Sequence, residues 1–103
     1  MLHKDNYYRN KKWLAAARGQ DCTLRFIGCN RNPETTVAAH SPFKEHGGGM
    51  GIKAPDDKIV FACSVCHDIL DGRRKSPYSR GRIKLVFNLA NQITLEIIKG
   101  EGL

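Results

Sequence analysis

Long apolar runs are missing from this sequence. No segment approaches the roughly 20 consecutive apolar residues that a membrane-spanning helix needs, which excludes such a span. The opening MLHKDNYYRNKKW has none of the apolar centre of a secretory leader, so the expected setting is the cytoplasm, with no membrane partner. Internal repeats and low-complexity stretches are absent too. That leaves a single domain over residues 1–103, near the size at which an apolar core alone is marginal. Acidic residues are scarce beside basic ones: 10 Asp and Glu face 17 Lys and Arg, a net charge of +7. The imbalance favours polyanionic partners such as nucleic acid, although a merely solvated basic surface gives the same count. Cysteine occurs only four times. In a reducing compartment four thiols in a short chain read as metal ligands, the alternative being two disulfides in an exported protein.

What is present divides the chain into short elements. Residues 1–13 form a basic and aromatic arm, with Tyr7, Tyr8, Arg9, Lys11, Lys12 and Trp13 close together. WLAAARGQDC predicts a short helix over Trp13 to Arg18, stopped by Gly19. CTLRFIGC places β-favouring residues between two cysteines, and Gly28 permits a tight return of Cys29 toward Cys22. After the turn-rich NRNPETT, TTVAAH is expected to be a strand ending at His40. From Ser41 to Asp57 there are four glycines, two prolines and no apolar period. Loops longer than about 12–15 residues inside a compact domain are uncommon and tend to carry function. KIVFAC is a second strand delivering Cys63, and a helix is expected to open from Cys66, interrupted near Gly72 and Pro77. Over residues 80–99, Ile83, Val86, Phe87, Ala90, Ile93, Ile97 and Ile98 share one helical stripe, which predicts an amphipathic helix covering the core and ending near Gly100.

Cys63 and Cys66 have the C-x2-C spacing at which one turn offers two thiolates to Zn²⁺, and Cys22 and Cys29 would complete a tetrahedron. Such a zinc would clamp both ends of residues 20–75, the unit holding His40 and the glycine loop. His67 follows directly, with Asp71 four residues later. On a helix the two share a face and could converge on one divalent cation, with Asp68 behind them, though an acid near a helix end is also explained by the helix dipole. His40 could take a proton from water, the ordinary imidazole pKa being about 6.5. His46, within the loop, is a further candidate.

The order strand, histidine, glycine-rich loop, strand, CxxCH, helix resembles the HNH, or ββα-metal, endonuclease module. The resemblance implies an α+β fold: a small zinc-stabilised ββα-metal (HNH-like) domain with flanking N-terminal and C-terminal helices. It also implies that His40 of VAAH is the general base, that His67 of CSVCH is a metal ligand, and that Asp71 occupies the second ligand position. More narrowly, AARGQDCTLRFIGCNRNPETTVAAH, then Gly51, Lys53, Pro55 and Asp56, then ACSVCHDILDGR are similar to the YbcO-like putative nucleases of lambdoid prophages, from about Ala16 to Arg73. Two features depart from the HNH pattern. Ala39 stands where many members carry an acidic ligand, and no asparagine lies between His40 and Cys63. Asp56 is available as a substitute ligand or as an orienting group.

The function so implied is a phage- or prophage-encoded, metal-dependent DNA endonuclease acting in DNA recombination or processing in the cytoplasm of a bacterial host. Mg²⁺ or another divalent ion would sit on His67 and Asp71, with Asp56 as a further candidate ligand, beside a structural zinc on Cys22, Cys29, Cys63 and Cys66. Lys53, Arg73, Arg74, Lys75, Lys11 and Lys12 would hold phosphates, which RNA presents as well as DNA. A zinc-stabilised nucleic-acid-binding module without catalysis is the alternative, and a protein-interaction adaptor using the C-terminal helix is a third. Oligomeric state is not legible.

Overall fold

The computed structural model describes residues 8–48 and 53–103; the first seven positions of the arm, and Gly49, Met50, Gly51 and Ile52 of the glycine loop, lie outside the described residues. Helix α1 runs Lys11–Ala15, earlier and shorter than the sequence predicts. The Asn10 side chain fixes its start by accepting from the N–H groups of Lys12 and Trp13, and the chain then leaves through turns to Gly19, whose φ is +80°. Strand β1, Val37–His40, begins after a single 3-10 turn over Pro33–Thr35 that the Asn32 side chain caps. Strand β2, Ile59–Ala62, pairs antiparallel with β1, Val37 opposite Ala62 and His40 opposite Ile59.

Helix α2, Ser64–Leu70, opens two residues before the expected Cys66, because Cys63 is its N-cap and the Cys63 Sγ accepts from the Cys66 N–H at 3.4 Å. The C-x2-C turn is thus the first turn of the helix. Helix α3, Arg80–Gly100, starts at a Ser79 cap and completes an α+β domain. Among the described residues, no helix is long and apolar enough to cross a membrane.

Two strands of four residues are not stable alone; here the hairpin is covered on both faces. Side chains alternate along a strand. On one face Ala39, Val60 and Ala62 pack with Ile69 and Leu70 of α2 and with Ile83, Phe87 and Ala90 of α3. On the other, Ala38, Ile59 and Phe61 pack with Trp13, Leu14, Ala17 and Ile98.

The inward face of α3 differs from the predicted stripe. Ile93 is 52% exposed, while Asn91 and Thr94 are buried. The reason lies in the second edge of β2, whose backbone groups have no strand to pair with among the described residues and are satisfied otherwise. The Asn91 amide donates to the carbonyls of Asp57 and Ile59 at 3.0 and 2.8 Å. Thr94 Oγ1 accepts from the Phe61 N–H at 3.3 Å and meets the Thr23 hydroxyl at 3.0 Å, while the Thr23 N–H donates to the Phe61 carbonyl at 2.7 Å.

Candidate metal centre and active site

The sulfurs of Cys22, Cys29, Cys63 and Cys66 all lie within 4.8 Å of one another, and Cys29 Sγ is 3.7 Å from Cys63 Sγ. Tetrahedral zinc with bonds of about 2.3 Å separates its sulfurs by about 3.8 Å, so the donor set fits such an ion. All four cysteines are free thiols. The loop from Cys22 to Cys29 achieves this with two left-handed residues: Gly28 at φ 94° and, less expectedly, Arg25 at φ 51°. Arg25 turns its N–H toward Cys22 Sγ at 3.5 Å, and its guanidinium Nε donates to the Cys22 carbonyl at 3.1 Å. Arg31, just past Cys29, is left-handed as well.

Without a cation, four sulfurs this close cannot all ionise. The Cys22 thiol is pulled down because Cys66 donates to it, Cys66 is pushed up by that same bond and by burial, and Cys29 is pushed up by burial. A bound metal ion reverses that arrangement by favouring thiolate at every position. The four cysteines can therefore hold a structural metal such as zinc.

His40 closes β1, and its Nε2 lies 2.7 Å from Asp56 Oδ1. Asp56 is 2% exposed, and both of its oxygens are engaged: Oδ1 also accepts from Arg9 Nη1 at 3.2 Å, and Oδ2 from the Asn10 N–H at 2.7 Å. Burial pushes the Asp56 carboxyl up, but the bonds from His40 and Asn10 and the charge of Arg9 outweigh it and leave the group below the usual carboxylate range. The anionic carboxylate fixes the proton on Nε2. Nδ1 has no hydrogen-bond partner among the described residues, and it is the nitrogen that carries the lone pair whenever the ring is neutral. Arg9 is held in turn, donating to the carbonyls of Ala54 and Lys53 at 2.7 and 3.2 Å. Arg9 and Asn10 are the residues that sequence reasoning left out of the site; the basic composition of the arm was the available signal.

His67 and Asp71 form the second pair, Nε2 to Oδ2 at 3.2 Å, each about 30% exposed. Adjacent ligands of an octahedral ion at about 2.1 Å stand about 3.0 Å apart, so these atoms suit two positions on one divalent cation. Asp71 is the C-cap of α2 rather than part of its interior. Its Oδ2 also meets Arg73 Nη2 at 2.9 Å, and Arg73 reaches Asp68 at 3.5 Å.

The two pairs share no hydrogen bond among the described residues. Strand alternation turns His40 to the Ala38 side, toward the N-terminal segment, and it is Ala39 that faces α2. Among the described residues the cysteines are the only gathering of three or more potential metal donors, so Asp56 is not joined to His67 and Asp71. The C-terminal end of α2 is nonetheless tied to the chain just after His40. Arg80 donates to the Leu70 carbonyl at 2.9 Å and lies 5.0 Å from the centre of the Phe43 ring.

The other predicted residues fall on the surface or in the fold. Lys11, Lys12, Lys53, Arg74 and Lys75 are exposed, whereas Arg73 is committed to its ion pairs. His46 serves the loop: its Nδ1 meets the Ser41 hydroxyl at 2.6 Å, its ring packs on Phe43 and Phe87, and burial, with Lys58 nearby, pushes its pKa down.

Residues 11–103 match the model of the family described as "Putative nuclease YbcO". Two curated relatives, each described as a putative nuclease of that name, come from Escherichia coli (strain K12) and Enterobacteria phage 82. Each is 49% identical to this chain over 59 residues, 56% of this chain and 60% of the relative, so the match spans three fifths of their length. A solved structure, described as that of a putative bacteriophage protein from Escherichia coli str. K-12 substr. MG1655, is 39% identical with a TM-score of 0.67. It covers 84% of this chain and 95% of that one.

Proposed function

The chain belongs to the YbcO family of putative nucleases, and from that premise we propose that it is a metal-dependent endonuclease hydrolysing phosphodiester bonds in DNA, on a zinc-stabilised ββα-metal (HNH-like) domain. The observation that carries the reading is the His40–Asp56 pair. A buried carboxylate holds Nε2–H at 2.7 Å and leaves Nδ1 to accept a proton from the attacking water. Asp56 orients the ring and stabilises the imidazolium that forms; with both oxygens occupied it acts as a positioning residue rather than a metal ligand.

His67 and Asp71 would hold a divalent ion, which would supply charge stabilisation at the scissile phosphate. Arg73, paired with Asp71 and largely exposed, stands where it would also meet a phosphate held beside that ion. Lys11, Lys12, Lys53, Arg74 and Lys75 hold the polyanion on either side. The four cysteines with their zinc supply stability and take no part in the chemistry.

A second reading, a zinc-stabilised nucleic-acid-binding module without catalysis, is favoured by Ala39, an apolar residue 1% exposed on the very face that looks toward α2. Nicking of supercoiled plasmid separates the two. With Mg²⁺, Mn²⁺, Ni²⁺ or Zn²⁺ supplied in turn, the wild-type protein is expected to nick with at least one, and His40→Ala to lose about 100-fold or more. Absence of nicking with every ion, or equal nicking by a folded His40→Ala, would leave the binding module standing.

A further inference from the structure

Helix α3 carries an apolar ridge that stays largely exposed in the domain. Leu85, Leu89 and Ile93 are 51, 56 and 52% exposed and recur every four residues. Leu85 and Leu89 lie on the far side of the helix from Ile83, Phe87, Ala90, Thr94 and Ile98, which hold α3 on the hairpin, and Ile93 continues the ridge at its edge, beside Thr23 and Arg25. Single exposed apolar residues are ordinary, but three in register on one ridge form a packing surface of the kind helices use against helices.

The charges along this ridge identify the occupant. Arg82 lies seven residues before Leu89 and Glu96 seven after, two helical turns each way, so both flank the same ridge. Both are exposed, and neither has an ion-pair partner among the described residues. We propose that α3 pairs antiparallel with α3 of a second copy of this chain, about a two-fold axis passing at Leu89.

That axis brings Leu85 of one copy to the level of the partner's Ile93, and Arg82 to the level of the partner's Glu96, each contact made twice as two-fold symmetry requires. Parallel pairing would instead oppose arginine to arginine and glutamate to glutamate. The ridge between the two charges is about 20 Å long. A contact of that size buries less than the roughly 1,200–2,000 Å² of a stable interface, so the dimer is reversible and depends on concentration.

Sedimentation velocity over a concentration series tests this. The wild-type chain is expected to pass from monomer toward dimer as concentration rises. Leu89→Glu, at an exposed position that the fold does not need, is expected to weaken the dimer at least tenfold with an unchanged circular dichroism spectrum. Arg82→Glu alone weakens it, and adding Glu96→Arg in the same chain restores it, a recovery that parallel pairing does not produce. A chain that stays monomeric at every concentration overturns the proposal, including one that uses the ridge only on duplex DNA or lipid vesicles. So does a dimer indifferent to Leu89→Glu.

Discussion

Asp56 shows how one residue can be legible as a type and illegible as a role. The sequence offers Asp56 and Asp57 side by side at the end of a long loop, and nothing local says which is buried. The decision is made by Arg9 and Asn10, more than 40 residues earlier, which converge on Asp56 from the start of α1 and leave His40 as its third partner. Since its folded pKa is lowered, the unfolded chain takes up this proton at a higher pH than the folded chain does. The stability Asp56 contributes is therefore complete above the ordinary carboxylate value of about 3.9 and is lost as pH falls through the lower folded value. Asp56→Asn removes the charge and sets an amide NH2 against the Asn10 N–H or, with the amide turned, against Arg9 and His40, at an expected cost of about 1–3 kcal/mol at neutral pH. Thermal melts from pH 7 down to pH 3 check the sign: the gap between wild type and Asp56→Asn should be widest at neutral pH and narrow below about pH 4. A gap that is constant across that range would remove the carboxylate charge from the account. Gly48 makes a similar point about the same loop, because a Cβ there would stand 2.3 Å from the Ser41 carbonyl oxygen. The glycine run is legible as irregular chain, but which glycine is sterically obligatory depends on how the loop folds back.

At the scale of elements, what periodicity and spacing encode was readable, and what tertiary hydrogen bonding decides was not. The hairpin, the CxxC turn and the long C-terminal helix follow from β-favouring runs, ligand spacing and a 3.6-residue stripe. The boundaries moved where a single cap intervened: Asn10 starts α1 early, and Cys63 starts α2 at Ser64. The stripe itself misassigned Ile93, because counting apolar residues cannot detect that Asn91 and Thr94 are required inward by the open edge of β2. Alternation along β1 likewise turns Ala39 toward α2 and His40 toward the arm, a placement that apolar patterning does not give. Asn91→Leu keeps the size and raises the helix propensity, so by apolar patterning it should stabilise α3. By the hydrogen-bond account it strands the carbonyls of Asp57 and Ile59, one of them buried, and should cost about 2 kcal/mol. Urea denaturation monitored by circular dichroism distinguishes these by the sign of the change in midpoint.

For the molecule as a whole, the decisive fact is that one cluster joins two distant parts of the chain. Cys22 and Cys29 belong to the loop after α1, Cys63 and Cys66 to the start of α2, and both strands with the intervening loop lie between them. Three of these thiols are themselves core residues, packed with Leu24, Phe26, Ile69 and Leu70, so the cysteine cluster and the apolar core are one structure rather than two. A chain of 103 residues with a four-residue, two-stranded sheet has little core to spare. Metal analysis of the purified protein is expected to find about one zinc per chain, and removal of that zinc to unfold much of the domain. If the centre contributes even about 3 kcal/mol, a chelator at neutral pH should lower Tm by more than roughly 10 °C in a domain this size. Cys66→Ser should reproduce that loss without chelator and show no further loss when chelator is added, which ties the effect to the cluster rather than to metal bound elsewhere. A wild-type Tm indifferent to chelation would mean that hydrophobic packing around four neutral thiols is sufficient, and the clamp would have to be given up.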